Sequence, residues 1–347
     1  MLAANSTKRI LVLHCGGTIG MGPTSEGYAT LDDFGSRLRQ RLRDHVGGEL
    51  PGVDILELTP LIDSANMVPD DWTRIACALK ARWDDYDGFL LLHGTDTMAY
   101  TASALSFLFR RMDKPVILTG SQIPLCEPRS DAMDNLVNSL VLASNYPIAE
   151  VCICFHGRLL RGNRSIKFKS TGFDAFDSPN LPWLGKTGIQ IELREDLLLP
   201  PAAAEMQTCQ FIDGAVGVLQ LYPGISHHFF SAALADAYLK ALVIQSYGVG
   251  NGPNRDPELL RMLAGAVERG ISIVNITRCP QGSVLPLTYA TGASLAKAGA
   301  ISGADLTLEA AYTKLHVLLG QGASRDAIQQ TFAEPWCGEC TPHLANP

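Results

Sequence analysis

Short, nearly unbroken runs of Val, Ile and Leu alternate with stretches of helical period along the first two thirds of the chain. The runs fall at residues 9–14, 53–58, 88–93, 115–119 and 151–155. Strands apolar on both faces belong in a parallel sheet covered by helices on both sides. Helices are predicted at 33–46, 70–85, 97–112 and 130–144. The second displays its own start. Pro69-Asp70-Asp71 offers capping carboxylates, and Trp72, Ile75, Ala76, Leu79 and Trp83 recur at helical spacing. Alternation of this kind implies right-handed crossovers and a doubly wound sheet.

Residues 194–210 break the pattern with Pro200-Pro201, an alanine run and scattered charges, and read as a linker. A second α/β unit follows, with strands at 215–221, 241–245 and 272–276 and helices at 229–240, 256–269, 304–319 and 324–332. The expected fold class is α/β. A larger N-terminal, doubly wound, mostly parallel sheet domain covers 1–193, and a smaller C-terminal α/β domain covers 211–347.

Composition narrows the function classes. A length of 347 residues fits about two domains. With 46% hydrophobic and 18% charged residues the chain is globular rather than disordered. A net charge of −7 without a basic cluster argues against nucleic acid and against an anionic membrane surface as partners. The longest apolar stretch, 97–109, is too short to span a bilayer and reads as a buried helix. The N-terminal run 10–13 enters Gly16-Gly17 rather than a cleavage site, so no signal peptide is expected. Nine scattered cysteines, an odd number without framework spacing, point to reduced thiols and a cytoplasmic location. Cys152 and Cys154 alternate within a strand and read as core thiols on one face.

Candidate chemistry gathers where strands end. The first strand runs into Cys15-Gly16-Gly17-Thr18-Ile19-Gly20, a hydroxyl flanked by glycines that let backbone amides approach a substrate. The plainer reading is a tight turn. The segment from Met21 to Tyr28 carries Gly, Pro and Ser, could close over a bound molecule, and would bring in the Tyr28 phenol. The third strand ends in His93-Gly94-Thr95-Asp96-Thr97-Met98. Asp96 is either a helix cap or the acid that an amine-recognising site requires. Asp63-Ser64 forms another strand-end turn, for which Asx chemistry is the simple account. Lys167 lies in a basic stretch that reads most simply as solvated; facing Asp96, it would instead form a buried ion pair able to move a proton.

Two motifs suggest less. Trp336-Cys337-Gly338-Glu339-Cys340, with His343 nearby, lacks the following helix of a redox motif and the second Cys pair of a zinc site, and reads as a free tail. His227-His228 reads as a capping or surface pair.

The motifs Gly16-Gly17-Thr18-Ile19-Gly20 and His93-Gly94-Thr95-Asp96-Thr97-Met98 together resemble the two signatures of the asparaginase/glutaminase family, in particular its cytoplasmic type I L-asparaginases. Further similar blocks include Gly120-Ser121-Gln122-Ile123-Pro124, Arg161-Gly162-Asn163-Arg164 and Ser246-Tyr247-Gly248-Val249-Gly250-Asn251. The resemblance covers nearly the whole chain. It implies two α/β domains, a homodimer or homotetramer with the C-terminal domain at the interface, no metal or organic cofactor, and L-asparagine as a small-molecule substrate hydrolysed to L-aspartate and ammonia.

Residue by residue, the resemblance gives Thr18 as the nucleophile and Tyr28 as the lid tyrosine hydrogen-bonded to it. Thr95, Asp96 and Lys167 match the second catalytic group, and Asp63, Ser64 and Ala65 the segment holding the substrate's α-carboxylate. Thr18 is preferred over Thr95 as the acylated residue because its glycine-flanked loop can move and Tyr28 is near in sequence. Cys15 stands where the signature usually has Thr, and is expected to serve packing. At a second, activating asparagine site known in some members, Asn251 and Cys279 match, but Gln245 replaces an Arg. Without that guanidinium, carboxylate binding there weakens, and homotropic activation is not expected. The alternatives are a glutaminase-leaning amidohydrolase, the glutamine-hydrolysing subunit of a transfer-RNA amidotransferase, or a non-catalytic sensor using Gly16-Gly17 as an anion cradle. A signature within the first twenty residues argues against the amidotransferase subunit, and joint retention of five catalytic matches argues against the sensor.

Overall fold

The computed structural model describes residues 7–25, 27–31, 33–45, 50–285 and 290–342. The chain forms two compact units, Met1–Gln207 and Thr208–Pro347. The first contains β1 (Arg9–His14), β2 (Met21–Thr24), β3 (Gly27–Thr30), α1 (Phe34–His45), β4 (Gly52–Glu57), α2 (Pro69–Lys80) and β5 (Gly88–Leu92). There follow α3 (Met98–Leu108), β6 (Phe109–Arg111), β7 (Val116–Thr119), α4 (Ala132–Asn145), β8 (Val151–Phe155) and β9 (Arg158–Arg161). Short strands complete it: β10 (Ile166–Lys167), β11 (Phe176–Asp177), β12 (Gly185–Thr187), β13 (Ile191–Leu193) and β14 (Glu205–Met206).

The main sheet has the order β13-β12-β9-β8-β7-β5-β1-β4, with β4, β1, β5, β7 and β8 parallel. These are the five apolar runs visible in the sequence, and β1, β5, β7 and β8 are buried on both faces. Strand β4, at the sheet edge, has no buried residue and departs from the expectation of a doubly covered strand. Ile10, Val12, Leu90, Leu92 and Ile117 pack against Phe34 and Leu38 of α1 and Leu136 and Leu140 of α4. The alternate residues Leu11, Leu13, Phe89 and Leu91 are equally buried. On α2, Trp72, Ile75, Ala76 and Leu79 are buried, and the Asp71 carboxylate accepts the Val68 N–H at 3.1 Å, as the capping signal implies. Cys152 and Cys154 are core thiols.

Several boundaries differ from expectation. The helix expected to run to residue 112 ends at Leu108, because Phe109–Arg111 turns extended and pairs with Glu205–Met206. That pairing also draws the second half of the presumed linker onto the first unit, where Ala202 N–H donates to Met112 O and Gln207 N–H to Leu108 O. The helix expected over 70–85 stops at Lys80, with a separate turn at Trp83–Asp85. The antiparallel strands β9, β12 and β13 were not foreseen; they are too short to carry a periodic signal.

The second unit has β15 (Val216–Gln220), α5 (His227–Leu234), β16 (Ala241–Ser246), α6 (Pro257–Glu268), β17 (Ser272–Thr277), α7 (Ala290–Lys297), β18 (Ile301–Ser302), α8 (Leu308–Gly320) and α9 (Arg325–Thr331). Its four strands run parallel in the order β15-β16-β17-β18. The helix expected over 229–240 starts at His227 under the Ser226 cap and ends at Leu234, where the chain turns through Asp236. His227 Nδ1 meets Asp256 Oδ2 at 3.2 Å. Among the described residues, no helix is long and apolar enough to cross a membrane.

The expected free tail is instead anchored, although His343 lies outside the described residues. Lys314 on α8 is fully buried, and its ammonium donates to Phe332 O at 2.7 Å, Glu334 O at 2.6 Å and Glu339 Oε1 at 2.6 Å. Glu339 in turn accepts the N–H groups of Trp336 and Cys337. Beyond it, Asp305 accepts both the N–H and the hydroxyl of Thr341. Burial alone would raise the Glu339 carboxyl, but Lys314 and the two amides outweigh it and hold it below the usual range. Its contribution is present above the ordinary carboxylate pKa and is lost as pH falls through the depressed folded value. Lys314→Met strands that carboxylate in a dry site and is expected to destabilise the chain by about 3–5 kcal/mol, read by denaturant unfolding. A midpoint unchanged from the parent would contradict the anchoring role.

Candidate active site

From β1 the chain crosses to β4 on one side and then returns to β5 on the other. Connections leaving a strand in opposite directions open a crevice at its carboxyl end, where ligands bind in sheets of this type. The Gly16-Gly17-Thr18 loop follows β1 and the Gly94-Thr95-Asp96 loop follows β5, so both border this crevice.

Backbone contacts hold the loops together. Cys15 N–H donates to Leu92 O at 2.9 Å, and Ile62 N–H donates to Cys15 O at 2.7 Å. Gly17 has φ 93°, and a Cβ there would overlap the backbone of His93 and Gly94. A Cβ at Gly94 would overlap the Ser64 side chain. Only glycine permits this approach, and the result joins three loops, around residues 17, 64 and 94, that are distant in sequence.

Thr18 starts a single 3₁₀ turn, Thr18–Gly20, and is half-buried. Among the described residues its hydroxyl has no hydrogen-bond partner. Thr95 is buried. Lys167, on β10, donates to Thr95 Oγ1 at 2.8 Å and to Asp96 Oδ1 at 2.7 Å. Strand β10 is fixed by β11: Lys167 lies opposite Phe176, whose ring packs on Phe155 of β8 with centroids 5.1 Å apart. The Lys–Asp pairing raised by the sequence is thus present, but it is not buried, since the Asp96 side chain is 62% exposed, and the helix-cap reading of Asp96 does not hold. Helix α3 begins after Thr97, whose hydroxyl donates to Ser64 O at 2.9 Å.

Ser64 is buried between exposed Asp63 and Ala65. The Asp63 carboxylate accepts the Ala65 N–H at 3.1 Å, the Asx turn that the simple account of this motif describes. Tyr28 departs from expectation. It stands on the β2–β3 hairpin, 53% exposed, and its hydroxyl donates to Glu127 Oε1 at 2.7 Å rather than meeting Thr18. That bond to Glu127 raises the phenol's pKa and keeps it protonated.

Three buried groups near the loops are inert at neutral pH. Burial pushes His14 and His93 down to about 4, so both imidazoles are neutral, and His93 is further tied to Thr101 Oγ1 at 2.9 Å. Burial pushes the Cys15 thiol up to about 12, consistent with packing. Sequence reasoning overlooked Glu127 and the Thr97–Ser64 bond. A partner 99 residues from Tyr28 leaves no local signal.

Gln245, Asn251 and Cys279 lie in the second unit. Gln245 pairs in register with Ile276, and Asn251 bridges Tyr247 just beyond β16. Exposed Cys279 follows β17, its N–H donating to Thr277 Oγ1 at 3.1 Å. All three therefore gather at the carboxyl ends of adjacent strands. Asn251 Oδ1 accepts from Thr291 Oγ1 at 2.8 Å.

Residues 9–199 match the family profile described as Asparaginase, N-terminal, and residues 215–332 match the Glutaminase/Asparaginase C-terminal domain. The chain belongs to the asparaginase/glutaminase family. It is 47% identical to L-asparaginase 1 of Escherichia coli K12 over 96% of this chain and 98% of that one. Among solved structures of the family, L-asparaginase I from Vibrio cholerae superposes with a TM-score of 0.88 at 45% identity, covering 96% of this chain and 99% of that one. The thermostable L-asparaginase from Thermococcus kodakarensis superposes with a TM-score of 0.86 at 31% identity, covering 96% and 99% respectively. Both asparaginase/glutaminase structures share the architecture found here, a large parallel-rich α/β unit and a smaller parallel one.

Proposed function

We propose that this chain hydrolyses L-asparagine to L-aspartate and ammonia through an acyl-enzyme on Thr18. The observation that carries the reading is Lys167, whose ammonium binds Thr95 and Asp96 at once beside the glycine loop bearing Thr18. A threonine hydroxyl is a weak nucleophile and requires a base to take its proton. Tyr28 takes part once it leaves Glu127. Thr18 Oγ attacks the side-chain amide carbon, and backbone amides, including that of Thr95, hold the oxyanion. The C–N bond breaks as the proton given up by the Thr18 hydroxyl, relayed through the Tyr28 hydroxyl, passes to the nitrogen, which leaves as ammonia. Thr95 and Lys167 then activate a water that cleaves the ester and restores the Thr18 hydroxyl.

Asp96, being exposed, is available to accept the substrate's α-ammonium, a charge-assisted contact that favours α-amino acids over simple amides. The Asp63, Ser64 and Ala65 segment holds the α-carboxylate. Glutamine differs by one methylene, which shape alone discriminates by about 10–200-fold. We place the protein in the cytoplasm, on nine cysteines without framework spacing. We also propose a homodimer or homotetramer using the C-terminal unit, where Phe229 and Tyr238 are large exposed apolar residues.

Ammonia release from purified protein tests the reading. Asparagine should turn over faster than glutamine, with a hyperbolic saturation curve because Gln245 replaces the activating Arg. Light scattering on the same sample should give an assembly larger than a monomer. Absence of turnover on either amide would sink the hydrolase reading, and a sigmoidal curve would restore the activating site.

A further inference from the structure

We propose that Glu127 is a positioning residue for Tyr28: its carboxylate holds the phenol's proton in the substrate-free protein and so sets how readily the β2–β3 hairpin engages Thr18. The inference rests on the proposed role of Tyr28 in assisting Thr18.

A phenol has one proton to donate. In the structure it is committed to Glu127 Oε1 at 2.7 Å, while the Thr18 hydroxyl has no partner among the described residues. The two partners of this bond are held differently. Glu127 sits in the loop between β7 and α4, which is tied down along its length. The Asp131 carboxylate accepts the N–H of Gln122 at 3.0 Å and of Ile123 at 3.1 Å, and Ser130 Oγ donates to Ile123 O at 2.9 Å. The same loop is stitched to the nucleophile turn by Leu125 N–H donating to Ile19 O at 3.2 Å, and to the root of the hairpin by Cys126 Sγ donating to Met21 O at 3.4 Å. Glu127 is therefore fixed relative to Thr18.

Beyond its root at Met21, the hairpin is not anchored in this way among the described residues. All four β3 residues are exposed. Its tip is tied by Thr24 Oγ1 to Gly27 O at 2.6 Å, and its root by Leu31 N–H to Gly20 O at 3.1 Å. The phenol is thus the partner that moves, and the Glu127 bond must be surrendered for Tyr28 to turn to Thr18. A resting contact that competes with closure lowers apparent affinity by the fraction of protein it holds open. An exposed charge-assisted bond of this kind corresponds to about two- to fivefold in an equilibrium.

The test is steady-state kinetics on Glu127→Ala, Glu127→Gln, Tyr28→Phe and the Glu127→Ala/Tyr28→Phe double variant. Glu127→Ala should lower KM for asparagine about two- to fivefold with kcat reduced no more than KM. Glu127→Gln retains an acceptor oxygen and should bring KM back towards the parent value. In the Tyr28→Phe background, removing Glu127 should leave KM unmoved, because no hydroxyl remains to be held. Chymotrypsin cleavage after residue 28 in substrate-free protein should accelerate in Glu127→Ala and in Tyr28→Phe, and no further in the double variant. A KM that rises or stays constant, or an identical KM change without the tyrosine hydroxyl, overturns the proposal. If the parent protein does not turn over asparagine, the function above fails instead, and the cleavage rates still decide the Glu127 contact: equal rates in the parent and Glu127→Ala refute it.

Discussion

Thr18→Ala should keep its fold and lose asparagine turnover by about 10⁴-fold in kcat, the scale seen when a covalent nucleophile is removed. The turn that carries Thr18 is held by backbone contacts, Gly20 N–H donating to Gly17 O at 3.1 Å and Leu125 N–H to Ile19 O, and neither involves the hydroxyl. The side chain is half-buried, so truncation opens no large cavity and circular dichroism should be unchanged. Residual catalysis would come from the oxyanion donors and from substrate binding. Activity within tenfold of the parent would move the acyl step to Thr95. An acyl-enzyme trapped at acid pH and located by mass spectrometry would make that assignment directly.

Lys167→Met is expected to lower kcat by about 10²–10⁴-fold with a much smaller effect on KM. Methionine matches much of the lysine stem, so the change removes the ammonium with little loss of packing. Thr95 loses the donor that sets its hydroxyl, and the Asp96 carboxylate loses its only described cation, yet keeps its exposed face towards an incoming α-ammonium. Partial exposure of the pair limits the stability cost to about 1 kcal/mol or less. Turnover reduced by less than threefold would remove Lys167 from the mechanism. A loss expressed wholly in KM would make it a binding group instead.

Much of this molecule was legible in the chain. The parallel strands β1, β5, β7 and β8 sit where apolar runs sit, because a strand buried on both faces must be largely apolar, whereas β4 at the sheet edge is not buried and accommodates Asp54 and Glu57. The Gly16-Gly17-Thr18 and Gly94-Thr95-Asp96 loops were legible for a related reason. A backbone that must pass another at contact distance requires glycine, although by itself each loop had a plainer reading as a tight turn or a helix cap, and it was the two motifs together that marked the site. Helix ends were less visible. Residues 109–111 have the composition to continue α3, and only their pairing with 205–206, nearly a hundred residues later, makes them extended.

Some assignments had no local trace at all. Glu127 holds Tyr28 because the loop after β7 is laid beside the turn after β1, a neighbourhood that sheet order creates. The tail is anchored rather than free because a lysine inside α8 has no solvent and takes its acceptors from residues 332, 334 and 339. Lys167 looked like one cation in a solvated run until β10 paired with β11 and directed it onto Thr95 and Asp96. Period and glycine placement are properties of consecutive residues, so the amino-acid order dictated the strands, the loops and the residue types at the site. Which side chains meet depends on the order of strands in the sheet. That order is decided by burying every apolar face at once, and it belongs to the folded whole.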